Sequence, residues 1–214
     1  MYHFINDKEY LKKLRSTCGN LINQLVQAIN NDDVMTVEAH LVGSGARNLI
    51  TQNANEPVDL DYNLVILEFN DINNAQRIKE YVRKMFNIIL NNNGWNDCSD
   101  STSCLTTEKI NFRQGNKTKF SIDLAIVTEE ADGSWYRLIH EKNGYFNLDR
   151  WFWNKGPNSE QLNDKVEWLK SNGHWNEVRD AYLYKKNMYL SRRDYNRTSF
   201  NCYIEVVNEV YNKY

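Results

Sequence analysis

His40-Leu-Val-Gly-Ser-Gly-Ala-Arg-Asn-Leu49, followed by Val58-Asp-Leu-Asp-Tyr-Asn-Leu-Val-Ile66, joins a Gly-Ser turn to two carboxylates two positions apart. In a strand, alternate side chains share a face. Asp59 and Asp61 therefore point together to one side, while Leu60, Tyr62, Leu64 and Ile66 pack on the other. Two carboxylates held side by side need a cation. Hard oxygen ligands at that separation suit Mg²⁺ or Mn²⁺, and Mg²⁺ is usually completed by oxygens of a substrate phosphate. A third carboxylate is expected, and Asp123 supplies it within Lys119-Phe-Ser-Ile-Asp-Leu-Ala-Ile-Val127. There Ile122, Leu124 and Ile126 alternate with Ser121, Asp123 and Ala125, as in a half-buried strand.

This order of motifs resembles the nucleotidyltransferase superfamily that includes DNA polymerase β. Its pattern is an apolar residue, Gly, Gly or Ser, a gap, Asp-x-Asp or Asp-x-Glu, and a later strand-borne Asp. Gly43 and Ser44 match the phosphate-holding pair, Asp59 and Asp61 the metal pair, and Asp123 the third carboxylate. The gap from Ser44 to Asp59 is a little longer than usual, which assigns an insertion to the loop 50–57. More loosely, Asp59-Leu-Asp-Tyr-Asn63 and the later Trp151-x-x-x-x-x-Pro157 look like the bacterial relatives of oligoadenylate and cyclic-nucleotide synthases. Those enzymes usually carry a longer helical lobe.

The resemblance implies a reaction. The β- and γ-phosphates of a nucleoside triphosphate would lie over the Gly43-Ser44-Gly45 turn, with Ser44 adding a hydrogen bond. One Mg²⁺ (or Mn²⁺) would be held by Asp59 and Asp61 and a second shared with Asp123, for in-line transfer of a nucleoside monophosphate to a hydroxyl with release of pyrophosphate. The acceptor is open: a small molecule, an RNA end, a protein side chain or another nucleotide. Arg47 is a candidate contact to the triphosphate, against the ordinary role of a solvated helix-surface Arg. Asn63 is a candidate partner orienting Asp61, against that of a simple polar strand residue. The alternative function is a catalytically weak or inactive copy of the fold, serving as a nucleotide-binding or protein-interaction module.

The composition is that of a globular protein: 214 residues, 41% hydrophobic and 13% aromatic, enough for a substantial core. A net charge of −2 lacks the basic excess of a dedicated nucleic-acid binder. The first ten residues do not read as a secretory signal and no apolar run reaches membrane-spanning length, so the expectation is a cytoplasmic protein without a membrane partner. Cys18, Cys98, Cys104 and Cys202 are scattered and read as free thiols. His3, His40, His140 and His174 belong to no metal-ligand spacing, and His40 reads as a core histidine.

Apolar spacing predicts helices over 7–30 and 72–90, then 159–170 with Ser159 as N-cap and Gly173 as stop, 174–190 and 199–214. Strands are predicted over 36–42, through the Asp pair, over 103–110 and 118–127 as an antiparallel pair with a turn at 113–117, and over 135–140. The fold class is α+β: a nucleotidyltransferase-type mixed or antiparallel sheet with flanking helices over 1–150, and a small C-terminal helical lobe over 151–214 closing a cleft. Within the aromatic run 145–157, Tyr145 and Trp151 are candidates for stacking on a nucleobase, against the commoner role of packing between sheet and helices. Trp168, Trp175 and Tyr182 are expected in the core. Lys109, Arg113, Lys117 and Lys119 flank the turn before Asp123. A second basic area comprises Lys185, Lys186, Arg192, Arg193 and Arg197, interleaved with Tyr184, Tyr189 and Tyr195. Both read first as solvated surface and second as contacts to an anion.

Overall fold

A computed structural model describes residues 1–69, 71–145, 148–156, 160–194 and 196–214. After a short strand β1 (Tyr2–Phe4), helix α1 (Lys8–Asn30) begins where Asp7 accepts a hydrogen bond from the Tyr10 amide at 2.9 Å. Its buried residues Leu14, Cys18, Leu21, Ile22, Leu25 and Ile29 recur at three and four positions and form one apolar stripe. Strand β2 (Met35–Leu41), the short helix α2 (Gly43–Arg47), strand β3 (Thr51–Asn53) and the long strand β4 (Val58–Phe69) follow. Helix α3 (Ala75–Asn92), capped by Asn74, leads to β5 (Ser99–Asp100), β6 (Leu105–Thr106) and β7 (Phe120–Glu129). Strands β8 (Trp135–Glu141) and β9 (Arg150–Lys155) pair with each other, and helices α4 (Glu160–Ser171), α5 (Trp175–Arg192) and α6 (Ser199–Tyr211) complete the order. Ser159, Pro157 and Tyr195 lie outside the described residues.

Two compact units result. The larger comprises Asp7–Asn48 and Pro57–Pro157, the smaller Met1–Asn6, Leu49–Glu56 and Asn158–Tyr214. In the larger unit the strand order is β2-β4-β7-β6-β5, with β8 also on β7 and β9 on β8. The sheet is mixed. Strand β4 is antiparallel to β2 and parallel to β7, in unbroken register from Val58 opposite Phe120 to Ile66 opposite Thr128. Parallel neighbours need a crossover, and α3 lies on it. On one face of this pair Leu60, Tyr62, Leu64, Ile66, Phe120, Ile122, Leu124 and Ile126 are all buried. Each such side chain contributes roughly 2 kcal/mol to folding. The expected strand 103–110 is reduced to β6 and a single bridge between Ile110 and Phe120, antiparallel to β7 as predicted.

Strand β9, within the aromatic run 145–157, extends the sheet. Its Trp151 and Trp153 turn to the buried face, where the Trp153 indole donates to the Ile72 carbonyl at 2.8 Å and Trp151 stacks on His140 at 4.2 Å between ring centroids. His140 is 5% exposed and sits between two carboxylates: Nδ1 is 2.7 Å from Asp100 and Nε2 3.0 Å from Asp149. Each ring nitrogen thus has a carboxylate oxygen within hydrogen-bond reach. Lys79, also buried, reaches Asp100 at 2.7 Å and the Ser101 carbonyl at 2.7 Å. Burial pushes the Asp100 carboxyl up, but the hydrogen bonds from Lys79 and His140 outweigh it and hold the group below the usual range.

The smaller unit has its own core of Leu49, Val166, Leu169, Val178, Tyr182, Cys202, Tyr203, Val206, Val207 and Val210. Strands β1 and β3 form a two-stranded antiparallel sheet that spacing alone did not reveal. Asn187 of α5 donates to the Tyr2 carbonyl at 3.0 Å and accepts from the Tyr2 amide at 2.7 Å, while the Lys186 ammonium lies 4.0 Å from the Tyr2 ring. Trp168 departs from expectation. It is 37% exposed, held at the surface by stacking on His174 with Tyr211 edge-on to it, whereas Tyr182 is buried and Trp175 packs against the core.

His140→Ala leaves the half-buried Asp100 short of a donor. The expected result is a loss of roughly 3 kcal/mol in unfolding free energy, measured by urea denaturation.

Candidate active site

The site lies on the other face of the β4–β7 pair. Because Asp59 pairs in register with Ser121 and Asp61 with Asp123, all four side chains share that face. The Ser121 hydroxyl donates to Asp59 Oδ1, and Thr106 Oγ1, from β6 alongside β7, donates to Asp123 Oδ1 at 2.6 Å. Each hydroxyl fixes one carboxylate oxygen and leaves the other free.

Asp61 is the most constrained of the three. Burial, then the charges of Asp123 and Asp59, push its carboxyl up to about 6, against the opposing charges of Arg137 and Arg47. Asp123 is likewise raised by burial and by Asp59, and lowered by the Thr106 hydrogen bond and the charge of Lys109. Like charges are thus crowded on a half-buried face.

The Gly-Ser turn packs against this cluster. Gly43 has φ +61°, and a Cβ there would fall 2.2 Å from Asp61 Oδ2. Only glycine accepts both the conformation and the approach. The Val42 amide donates to the Asp61 carbonyl at 2.8 Å, tying the entry of α2 to β4. Gly45 is buried where a Cβ would meet Leu60 at 2.8 Å and Leu41 at 3.0 Å. Arg15 of α1 donates to the Gly45 carbonyl at 3.1 Å and to Asn48 Oδ1 at 2.8 Å, bracing the end of the turn. Ser44 is half-buried in α2, and Arg47, the last residue of that helix, lies within charge range of Asp61.

The structure therefore brings Gly43, Arg47, Asp59, Asp61 and Asp123 together, with Ser44 beside Gly43. It does not bring Trp151, which stacks on His140 on the opposite face because its register partner is His140 rather than Ile139. Tyr145 is 72% exposed after β8. Asn63 is on the acid face two positions beyond Asp61, with its Oδ1 buried and without a hydrogen-bond partner among the described residues. His40, expected in the core, lies instead on the edge strand β2 with its side chain 54% exposed, 2.9 Å from Glu38. Two members of the second basic area are paired: Lys185 contacts Glu205 and Glu209, and Arg197 contacts Glu205. Lys186 is half-buried against Tyr2 with Thr51 Oγ1 at 2.9 Å, and partial burial brings its ammonium down to about 8. Thr106, Arg15 and Arg137 were not found by sequence reasoning. Their roles depend on strand neighbours and helix placement, for which no local spacing exists.

A divalent cation suits these donors in type: three hard-oxygen carboxylates, mutually repelling, on one face. Among the described residues no three ligating groups are already gathered around one point. Cation binding thus requires the side chains to draw together.

No protein-family profile matches the chain, and no curated protein matches it. Solved structures share its fold. Escherichia coli MS115-1 CdnC, in a CdnC:HORMA-deltaN complex, superposes with a TM-score of 0.60 at 14% identity, over 94% of this chain and 60% of that one. Elizabethkingia meningoseptica CdnE cyclic dinucleotide synthase, with GTP and Apcpp, gives 0.52 at 14% identity, over 89% and 68%. Vibrio cholerae DncV cyclic AMP-GMP synthase, with the linear intermediate 5' pppA(3',5')pG, gives 0.52 at 12% identity, over 82% and 47%. These neighbours are polymerase-β-like nucleotidyltransferases, and the chain has their fold. It spans about 60% of the length of CdnC. No helix among the described residues is long and apolar enough to cross a membrane.

Two outcomes follow from the crowded acids. A carboxyl raised in the folded state binds its proton more tightly folded than unfolded, so its ionisation weakens the fold as pH rises from about 4 through about 6. Asp61→Asn should therefore raise stability by roughly 2 kcal/mol above pH 6 without added metal, with the gain vanishing below pH 4 in denaturant titrations. Gly43→Ala should displace the Asp61 carboxylate and cost about 1 kcal/mol or more of stability for the left-handed backbone, measured by urea denaturation.

Proposed function

We propose that this chain is a metal-dependent nucleotidyltransferase. It moves a nucleoside monophosphate from a nucleoside triphosphate to the ribose hydroxyl of a second nucleotide and releases pyrophosphate. The observation that carries this reading is the in-register pairing of Asp61 with Asp123, with Gly43 pressed under the Asp61 carboxylate. The choice of acceptor draws on the solved neighbours: CdnE and DncV are described as cyclic dinucleotide synthases, and CdnC has been solved with ATP.

The roles divide by position. Gly43 lets backbone amides approach a phosphate, Ser44 donates its hydroxyl to a phosphate oxygen, and Arg47 supplies a guanidinium matched to phosphate geometry. Asp59 and Asp61 form the metal pair, and Asp123 is the third ligand. Mg²⁺ or Mn²⁺, when bound, supplies charge that bridges carboxylates and triphosphate and favours ionisation of the attacking hydroxyl. Asp123, whose carboxyl is raised by burial, orients the acceptor hydroxyl and takes its proton, while Thr106 holds the other oxygen of that carboxylate still. Ser121 does the same for Asp59.

The test is calorimetric titration with each of the four ribonucleoside triphosphates, with and without Mg²⁺, alongside pyrophosphate release. Wild-type protein is expected to bind at least one of them in a Mg²⁺-dependent manner, and the double variant Asp59→Asn, Asp61→Asn to lose both binding and turnover with its fold intact. Turnover retained by that variant rejects the mechanism. Asp123→Ala is expected to lose turnover by more than a hundredfold while keeping most triphosphate affinity, and equal losses would move Asp123 off the acceptor side.

A further inference from the structure

The helix that carries Gly43, Ser44 and Arg47 cannot hold itself. It is five residues long, two of them glycine, and a single turn of that composition does not persist alone in water. Its shape is therefore set from outside. At its entry the Val42 amide donates to the Asp61 carbonyl, and beneath it Gly45 is pressed against Leu41 and Leu60. At its exit the last carbonyls lack partners within the helix, and the chain reverses at Asn48 with φ +56°. One nitrogen closes both. Arg15 Nη2, from α1, donates to the Gly45 carbonyl at 3.1 Å and to Asn48 Oδ1 at 2.8 Å. Both acceptors belong to the turn, and a guanidinium at a helix C-terminus also meets the negative end of its dipole. Arg15 is half-buried on a helix of 23 residues whose apolar stripe is packed into the core, so the donor itself is held in place.

We propose that Arg15 is a positioning residue that sets triphosphate affinity from behind the site. It keeps α2 wound, and with it holds the Gly43 and Ser44 amides, the Ser44 hydroxyl and the Arg47 guanidinium in the arrangement that meets the phosphates. The assignment rests on the nucleotidyltransferase reading above and adds a residue that acts through the turn. Asp59, Asp61 and Asp123 do not depend on it, because β4 and β7 are held by their own register. Loss of Arg15 therefore falls on binding of the triphosphate and spares the chemical step.

The experiment is equilibrium titration of the full chain with non-hydrolysable ATP and GTP analogues in Mg²⁺, paired with the kinetics of pyrophosphate release and with thermal melting. Arg15→Ala is expected to weaken triphosphate binding by roughly tenfold or more while kcat stays within about threefold. Arg15→Lys, whose ammonium carries a donor for each acceptor, should recover most of the affinity. Asn48→Gly keeps the left-handed backbone but deletes one acceptor. It should weaken binding less than Arg15→Ala, add nothing to it in the double variant, and carry the same test if Arg15→Ala does not fold. The control is Asn30→Ala, which unties the far end of α1 from Val37 and should lower the melting temperature with affinity unchanged. Affinity unchanged in Arg15→Ala, kcat falling as far as affinity, no recovery in Arg15→Lys, or an equal loss of binding in Asn30→Ala each overturns the assignment and leaves the transferase reading standing. No triphosphate bound by wild type overturns both.

Discussion

Everything at the site depends on β4 and β7 lying side by side in parallel. Antiparallel neighbours are joined cheaply by a turn, but this pair requires the chain to leave the sheet, cross through α3 and return by way of β5 and β6. The unbroken register means that a slip of one residue would send every side chain of one strand to the wrong face. Leu60, Leu64, Ile122 and Leu124, each with essentially no exposure, resist that slip. The apolar face thereby fixes where the carboxylates stand. Asp61 is opposite Asp123 because the residues on either side of each belong to the core.

That geometry works against the stability of the sheet. Asp61 and Asp123, half-buried on facing positions, are raised toward protonation by burial and by the charge of Asp59, with Asp123 adding to the effect on Asp61, and they oppose folding when ionised. Several features limit the cost: hydroxyls from Ser121 and Thr106, and the positive charges of Arg47, Arg137 and Lys109. The contrast with the buried face is informative. There Lys79, His140, Asp100 and Asp149 pair at hydrogen-bond distance and serve to anchor β8 and its neighbours.

The local parts of this arrangement were legible in the sequence. Alternation put Asp59 and Asp61 on one face, the Gly-Ser turn marked the chain's approach to them, and long amphipathic stretches gave α1 and α3 within a few residues. Parity across strands was not legible. Whether Trp151 or Phe152 of β9 shares the acid face depends on a register of β7, β8 and β9 set by packing, and that register puts Trp151 on the other face, against His140. Short non-local pairing was invisible as well. Strands β1 and β3 are three residues each, and what secures β1 is a side-chain amide of Asn187, 185 positions away from Tyr2. Pairing between helices was equally invisible: Lys185 and Arg197, read first as solvated surface, meet Glu205 and Glu209 of α6 once α5 and α6 pack.

The insertion between the turn and the acid pair has a physical consequence of its own. Residues 50–57 do not simply lengthen the loop between α2 and β4. Thr51–Asn53 pairs with β1, and Leu49 enters the core built by α4, α5 and α6. The chain therefore leaves the larger unit just after Asn48, which Arg15 holds, and re-enters it just before Asp59, which Ser121 holds. Both ends of the excursion are therefore fixed by hydrogen bonds within the larger unit, so the positions of Asn48 and Asp59 are set by α1 and β7 and not by the inserted segment.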